Sequence, residues 1–230
     1  MSSYFEVSYF KRVAKINYVL IAVYLSVSIT AHAIANRLVM VDSYPIISAG
    51  FIYMSVFVMT DVFASFNPRK LVIMIIILEA FSNLIFITYT NVISSMPHPS
   101  YFHHALAYTM VFSPIIILYI ANLGGTLIAA VVDLFIFYYL YRQKHWPFFI
   151  ASFLSSIITI SCYTFVTDYF GFRSSYPHHV ILLTDVNLMT NFITLAFYSI
   201  VGQFLVMLIQ RILNKPKTSW VQSQVGYTEQ

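Results

Sequence analysis

Long apolar runs, separated by short clusters of charge, proline and histidine, dominate the chain. Cutting these runs at the charged and Pro-rich breaks predicts six helices, at about 16–36, 45–66, 70–93, 114–141, 147–170 and 180–213. At a rise of about 1.5 Å per residue, each can cross roughly 30 Å of hydrocarbon. The second run begins at Tyr44-Pro45 and stops at Asn67-Pro68, and the fifth begins at Trp146-Pro147. Proline suits a helix's first turn, where its missing N–H would have no intrahelical partner anyway. Between the third and fourth runs, SSMPHPSYFHH reads as irregular, and ALAYTMVF as a short surface helix before Pro114. The expected fold is an all-α polytopic membrane protein, a bundle of six transmembrane helices.

Polar and small residues recur along the runs at helical spacing. The first run carries Asn17, Tyr24, Ser28, His32 and Asn36, and the third Glu79, Asn83 and Thr90. The fourth carries Asn122, Thr126, Ala129 and Asp133, with Gly124-Gly125 beside them; the fifth carries Ser152, Ser155, Ser156, Thr159 and Tyr163; the sixth Asn187, Asn191, Thr194, Tyr198 and Gly202. Small and hydroxyl residues let membrane helices approach and hydrogen-bond one another, each bond adding about 0.6–2 kcal/mol. Asn and the acids fit that role less well, because burying them without a partner is costly. Stripes on several helices facing one axis therefore point to a polar cavity.

Composition agrees with membrane burial. Of 230 residues, 60% are hydrophobic and 9% charged, against about 25% charged in soluble domains, and mean hydropathy is +0.79. The expected organisation is a cytoplasmic segment over 1–15, one transmembrane domain over 16–213 and a disordered cytoplasmic tail over 214–230. The net charge of +4 sits at segment ends, where lipid headgroups account for it without nucleic acid. Ten of the twelve Lys and Arg residues fall on one side of the predicted topology: Lys11, Arg12, Lys15, Arg69, Lys70, Arg142, Lys144, Arg211, Lys215 and Lys217. The positive-inside rule then makes both termini cytoplasmic and the helix count even. Ala31-His32-Ala33 resembles a signal-peptide cleavage site, but apolar character continues to Ile34, which favours an uncleaved first span. A homo-oligomer is compatible with the pattern.

The ionisable residues sharpen the chemistry. Asp61, Glu79 and Asp133 lie within runs two, three and four, and no Lys or Arg lies comparably deep. At a lipid-facing helix centre each carboxylate costs roughly 2.5–3.5 kcal/mol, so each is expected to face inward, be hydrated or carry a proton. The alternative for Asp61 and Asp133 is a rim ion pair with Arg69, Lys70 or Arg142. His98, His103, His104, His178 and His179 fall on the outer side, with His32 near them. Imidazoles so placed could capture a transition metal, but their spacing matches no standard ligand motif, and no metal or other cofactor is assigned. The single Cys162 builds neither a disulfide framework nor a thiolate site. FVMTDVFASF at 57–66 echoes FVTDYFGF at 165–172, the pattern of an inverted repeat with three helices per half. No G-x-S-x-G, H-E-x-x-H or P-loop is present, so nothing argues for an enzyme.

The order Ser55-Val56-Phe57-Val58-Met59-Thr60-Asp61, then Arg69-Lys70, then Asp133 with Phe137, Leu140, Arg142 and Trp146, resembles the queuosine precursor transporter family, also called the vitamin uptake transporter family. The resemblance covers about residues 45–150 by motif and the remainder by topology. It implies six helices in the bacterial inner membrane and uptake of a deazapurine such as preQ0 or preQ1, with Asp61 and Asp133 as the positions best carried over. The chain departs from the family pattern at Ala64-Ser65-Phe66-Asn67-Pro68, at Ala130 and at Ile157-Ile158-Thr159-Ile160-Ser161. Combined with the stripes, the expected solute contacts are Asp61, Glu79, Asn83, Asn122, Thr126, Asp133, Asn187 and Asn191, with Asp61, Glu79 and Asp133 the candidates for proton coupling. The competing readings are a membrane interaction or assembly protein whose stripes serve only packing, and a transition-metal importer.

Overall fold

A computed structural model describes residues 2–35, 37–173 and 177–213 and, within them, the side chains other than those at 2–10, 117–118, 121–122 and 171–172. Asn36 and the tail at 214–230 lie outside the described residues. The order is α1 (Ser2–Ala33), β1 (Leu38–Val41), β2 (Tyr44–Ile47), α2 (Gly50–Phe66), α3 (Arg69–Ser94), α4 (Ala105–Phe137), a π-helical turn (Tyr138–Gln143), α5 (Phe148–Phe172) and α6 (Val180–Leu213). Among the described residues the fold is helical apart from one hairpin. Segments of α1, α3, α5 and α6, together with 123–143 across the end of α4, are long and apolar enough to cross a membrane.

α2 is shorter, 17 residues or about 26 Å, and it is the centre of the bundle. From Met54 to Phe66 every residue except Met59 is buried, and α2 packs against each of the other five helices. The distribution of polarity is inverted relative to a soluble protein. Ile77, Phe81, Ile128, Phe165, Ile193 and Phe204 are more than half exposed, whereas Asp61, Asp133, Ser152, Ser156 and Ser199 are completely buried. A continuous apolar exterior over a polar interior is what lipid as solvent selects. Where α6 crosses α2 and α5, Gly202 is required by close approach: a Cβ there would lie 2.6 Å from Val58 Cγ1 and 2.8 Å from Phe148 Cε1.

Several boundaries differ from the sequence pattern, and α1 begins at Ser2 rather than near residue 16. Tyr44-Pro45 does not open a helix but belongs to β2, where Pro45 pairs with Met40 in an antiparallel hairpin; a two-stranded hairpin tolerates proline because an edge position needs no ladder N–H. Its two-residue loop has Asp42 at φ 55°, a left-handed conformation that Asp and Asn accept more readily than other side chains. The Ser48 N–H and hydroxyl both donate to the Arg37 carbonyl, at 2.9 and 2.8 Å, closing the hairpin base. Pro114 likewise lies inside α4 rather than at its start, because the ALAYTMVF segment joins the helix without a break. At the far end, the π-helical turn carries Tyr138 and Arg142 back over α2. The Tyr138 hydroxyl donates to the Asn67 carbonyl, and the Arg142 guanidinium donates to the Ala64 carbonyl (2.8 and 3.1 Å) and to that of Asn67 (3.0 Å). These carbonyls end a helix and have no intrahelical donor, so a cation there is doubly favourable.

Candidate functional site

The polar stripes meet in three places. Between α1 and α3, the Ser28 hydroxyl donates to Glu79 Oε1, to which Asn83 Nδ2 also donates at 2.6 Å; Asn83 Nδ2 lies 2.8 Å from the Ser28 hydroxyl as well. The i, i+4 spacing of Glu79 and Asn83 puts both on one face of α3, and Ser28 completes the cluster from α1.

A second node joins α2, α4 and α5. Ser152 Oγ donates to Asp61 Oδ2 at 2.6 Å, while Ser156 Oγ and Thr159 Oγ1 lie 3.1 and 3.4 Å from Asp133 Oδ1. Ser152, Ser156 and Thr159 share one face of α5, so a single serine-rich helix holds both carboxyls. Asp61 Oδ1 and Asp133 Oδ2 are buried without a hydrogen-bond partner. Of the basic residues weighed as rim partners, Arg142 is directed to the end of α2 and Arg69 over the rings of Tyr138 and Phe135, 4.7 and 5.3 Å from their centroids.

The third node is a cavity at the hairpin end of the bundle. Its walls come from the last turn of α1 (Ala31, His32), the loop and start of α2 (Ala49, Gly50, Tyr53, Met54), α4 (Ile115, Tyr119), α5 (Tyr163, Thr164, Thr167, Asp168) and α6 (Asn187, Asn191), with Ile47 of the hairpin. About 90 Å³ within it is open to water-sized spheres, several times what one water needs. His32 meets Tyr53 and Tyr119 edge to face at 5.9 and 5.5 Å, and the His32 ring is held by Nδ1 at 2.9 Å from the Ser28 carbonyl. Thr126 Oγ1 donates to the Tyr163 hydroxyl at 3.1 Å. On the opposite wall, Asn187 Nδ2 donates to Asp168 Oδ2 at 2.7 Å and Asn191 Nδ2 to Thr164 Oγ1 at 3.1 Å. Both amide oxygens, Asn187 Oδ1 and Asn191 Oδ1, are buried without a partner.

Of the residues expected to hold the solute, Asn187 and Asn191 line this cavity and Thr126 reaches it through Tyr163. Asp61 and Asp133 form the second node, Glu79 and Asn83 the first. Asn122 is on α4, and its side chain lies outside those described. Asp168 is the residue that the stripes missed. The signals for it were its four-residue spacing from Thr164 and the Thr-Asp that Thr167-Asp168 shares with Thr60-Asp61. Among the described residues, no three His, Cys, Asp or Glu side chains are gathered as a metal site.

An apolar exterior, long hydrophobic helices and an interior cavity lined by polar and aromatic side chains define a multi-pass α-helical membrane protein. Residues 48–221 match the model of the family described as "Putative vitamin uptake transporter", and the chain belongs to that family. Membership makes it a transporter of a small molecule and gives no support to an enzymatic role. The match begins at Ser48, so α1, with Ser28 and His32, lies before the matched span. No curated protein and no solved structure matches the chain.

Proposed function

We propose that the protein imports a flat, polar heterocycle across a bacterial inner membrane and that the solute is held in the hairpin-end cavity. The resemblance of Thr60-Asp61, Arg69-Lys70 and Asp133 to the queuosine precursor transporters makes that solute a deazapurine such as preQ0 or preQ1. One observation carries the reading: Asp168, Asn187 and Asn191 line one cavity together with the rings of His32, Tyr53, Tyr119 and Tyr163, and the two amide oxygens beside it, Asn187 Oδ1 and Asn191 Oδ1, are buried without a partner. Unsatisfied buried acceptors cost about 1–3 kcal/mol each, a cost that a ligand's N–H groups remove, while a flat ring gains stacking area from the aromatics.

In this reading six helices cross the membrane with both termini cytoplasmic, as the distribution of Lys and Arg indicates. The cavity then belongs to the outer half. Asp61 and Asp133, held by Ser152, Ser156 and Thr159, lie deeper along the path with Glu79, and they couple solute passage to protons. The test is uptake of labelled precursor by cells that lack both queuosine synthesis and their own importer, at matched expression. Wild-type protein restores uptake; Asp133→Asn inserts normally but loses uptake by tenfold or more. Normal uptake in that variant sinks the role of Asp133, and absence of uptake by the wild type leaves the assembly-protein reading in its place.

A further inference from the structure

The end of the bundle remote from the hairpin is basic. Lys15 of α1, Arg69 and Lys70 at the start of α3, Arg142 and Lys144 beside the π-helical turn and Arg211 of α6 gather there, their elements tied by the Asn17–Asn67 and Gln210–Tyr141 bonds. Among the described side chains no exposed carboxylate faces them: Asp42 and Asp185 are exposed toward the hairpin end, and Asp61, Glu79, Asp133 and Asp168 are buried. Two of these cations rest on aromatic rings. The Arg69 guanidinium lies over Tyr138 and Phe135, and Lys144 Nζ lies 5.5 Å from the centroid of Tyr139. Phe135, Tyr138 and Tyr139 are spaced i, i+3 and i+4, so they make one patch at the end of α4, onto which the α2–α3 corner and the π-helical turn each lay a cation. Tyr138 is buried and fixed, its hydroxyl on the Asn67 carbonyl and Arg142 5.0 Å from its ring centroid. Phe135 and Tyr139 are 47% and 48% exposed, on the surface that faces lipid. Arg69 is half-buried, and among the described residues its N–H groups meet no hydrogen-bond acceptor and no carboxylate. Stacking orients a guanidinium without consuming its donors, so the fork of Arg69 is held at the lipid boundary with its N–H groups available.

From this geometry we infer that Arg69, Lys144 and the patch of Phe135, Tyr138 and Tyr139 form a binding site for one anionic phospholipid, of the phosphatidylglycerol class. The Arg69 fork donates two parallel N–H bonds to the phosphate oxygens. Lys144, with Lys70 beside Arg69, supplies further positive charge. Zwitterionic lipids carry the same phosphate but also an ammonium group, which the second cation repels, so a pair of cations selects a headgroup of net negative charge. The exposed rings of Phe135 and Tyr139 favour a lipid over a free phosphate, because only a lipid brings acyl chains to lie against them. The site is independent of which solute the hairpin-end cavity takes and of the direction of transport.

The experiment reconstitutes full-length protein into phosphatidylcholine vesicles and follows the fluorescence of Trp146, two residues from Lys144, with Trp220 replaced by phenylalanine. Phosphatidylglycerol or phosphatidylcholine with brominated acyl chains then replaces the unbrominated lipid, and quenching gives their relative association constants. A cation at the membrane surface contributes about fivefold to the binding of anionic lipid, so two should make phosphatidylglycerol associate ~tenfold or more strongly than phosphatidylcholine. Arg69→Gln and Lys144→Gln should each lower that preference about fivefold, and the double variant should abolish it. Arg69→Lys keeps the charge but loses the fork, and should fall between the wild type and Arg69→Gln; with Lys144→Gln it carries the test if Arg69→Gln fails to fold. Lys15→Gln removes the same charge at the same end but away from the patch, and should leave the preference unchanged. Equal quenching by the two lipids in the wild type overturns the site. A loss in Lys15→Gln as large as that in Arg69→Gln also overturns it, since diffuse charge then accounts for the preference. Competition by inorganic phosphate beyond that of chloride at equal ionic strength assigns the site to a free anion and overturns the lipid.

Discussion

At the residue scale, the interior acids and amides differ in how completely they are satisfied, and that difference separates structural from functional positions. Asn17 and Asn67 exchange reciprocal amide bonds at 2.9 Å, which fulfils both and ties α1 to the end of α2. Asn187 and Asn191 each make one bond and keep an idle oxygen. Gly50 belongs with the second group, since its missing side chain is what lets those oxygens lie so close to the start of α2. Gly50→Ala sets a methyl against both, tighter than ordinary van der Waals contact. Ligand binding is expected to weaken about tenfold, equivalent to about 1.4 kcal/mol, with thermal stability of the detergent-purified protein little changed. A variant that binds as the wild type does would show that the ligand never approaches Gly50.

At the scale of the element, two helices have roles that their composition hides. α2 is the shortest helix and carries the least exposed face, because the five surrounding helices, rather than lipid, are its solvent. α5 alternates between lipid and interior: Ile158, Phe165 and Phe170 point outward while Ser152, Ser156, Thr159 and Asp168 point in. Gly202 of α6 sets how closely α2 and α5 are gripped. Gly202→Ala forces Val58 and Phe148 to give way, and overpacking of this kind costs about 1–3 kcal/mol. A lower melting temperature with retained ligand binding is the expected outcome; an unchanged one would mean that the helices separate at this crossing without penalty.

At the scale of the whole molecule, the distribution of Lys and Arg predicts which way the bundle lies in the membrane. With Cys162 replaced by serine, a new cysteine at Ser100 is expected to react with a membrane-impermeant thiol reagent from outside intact cells, and a fluorescent fusion after the tail to fluoresce in the cytoplasm. Labelling of Ser100→Cys only after lysis would reverse the orientation, and with it the direction assigned to the cavity. The apolar runs by themselves determined the helical architecture and most helix positions, because lipid demands about 20 apolar residues per crossing and leaves that demand written in the chain. Helical spacing also marked the inward faces, Ser28, Glu79, Asp133 and Asn191 among them, because polar groups in a lipid-embedded helix have only the interior to face. Spacing along one helix carries no information about which stripe meets which. Only the tertiary structure divided the stripes into three nodes, set Asp61 of α2 and Asp133 of α4 against one serine-rich face of α5, and put Tyr44-Pro45 in a strand, with Pro45 opposite Met40. The pairing of Asn187 with Asp168 and of Asn191 with Thr164 was likewise decided in three dimensions, because the partners lie 19 and 27 residues apart along the chain and a single hydrogen bond apart in space.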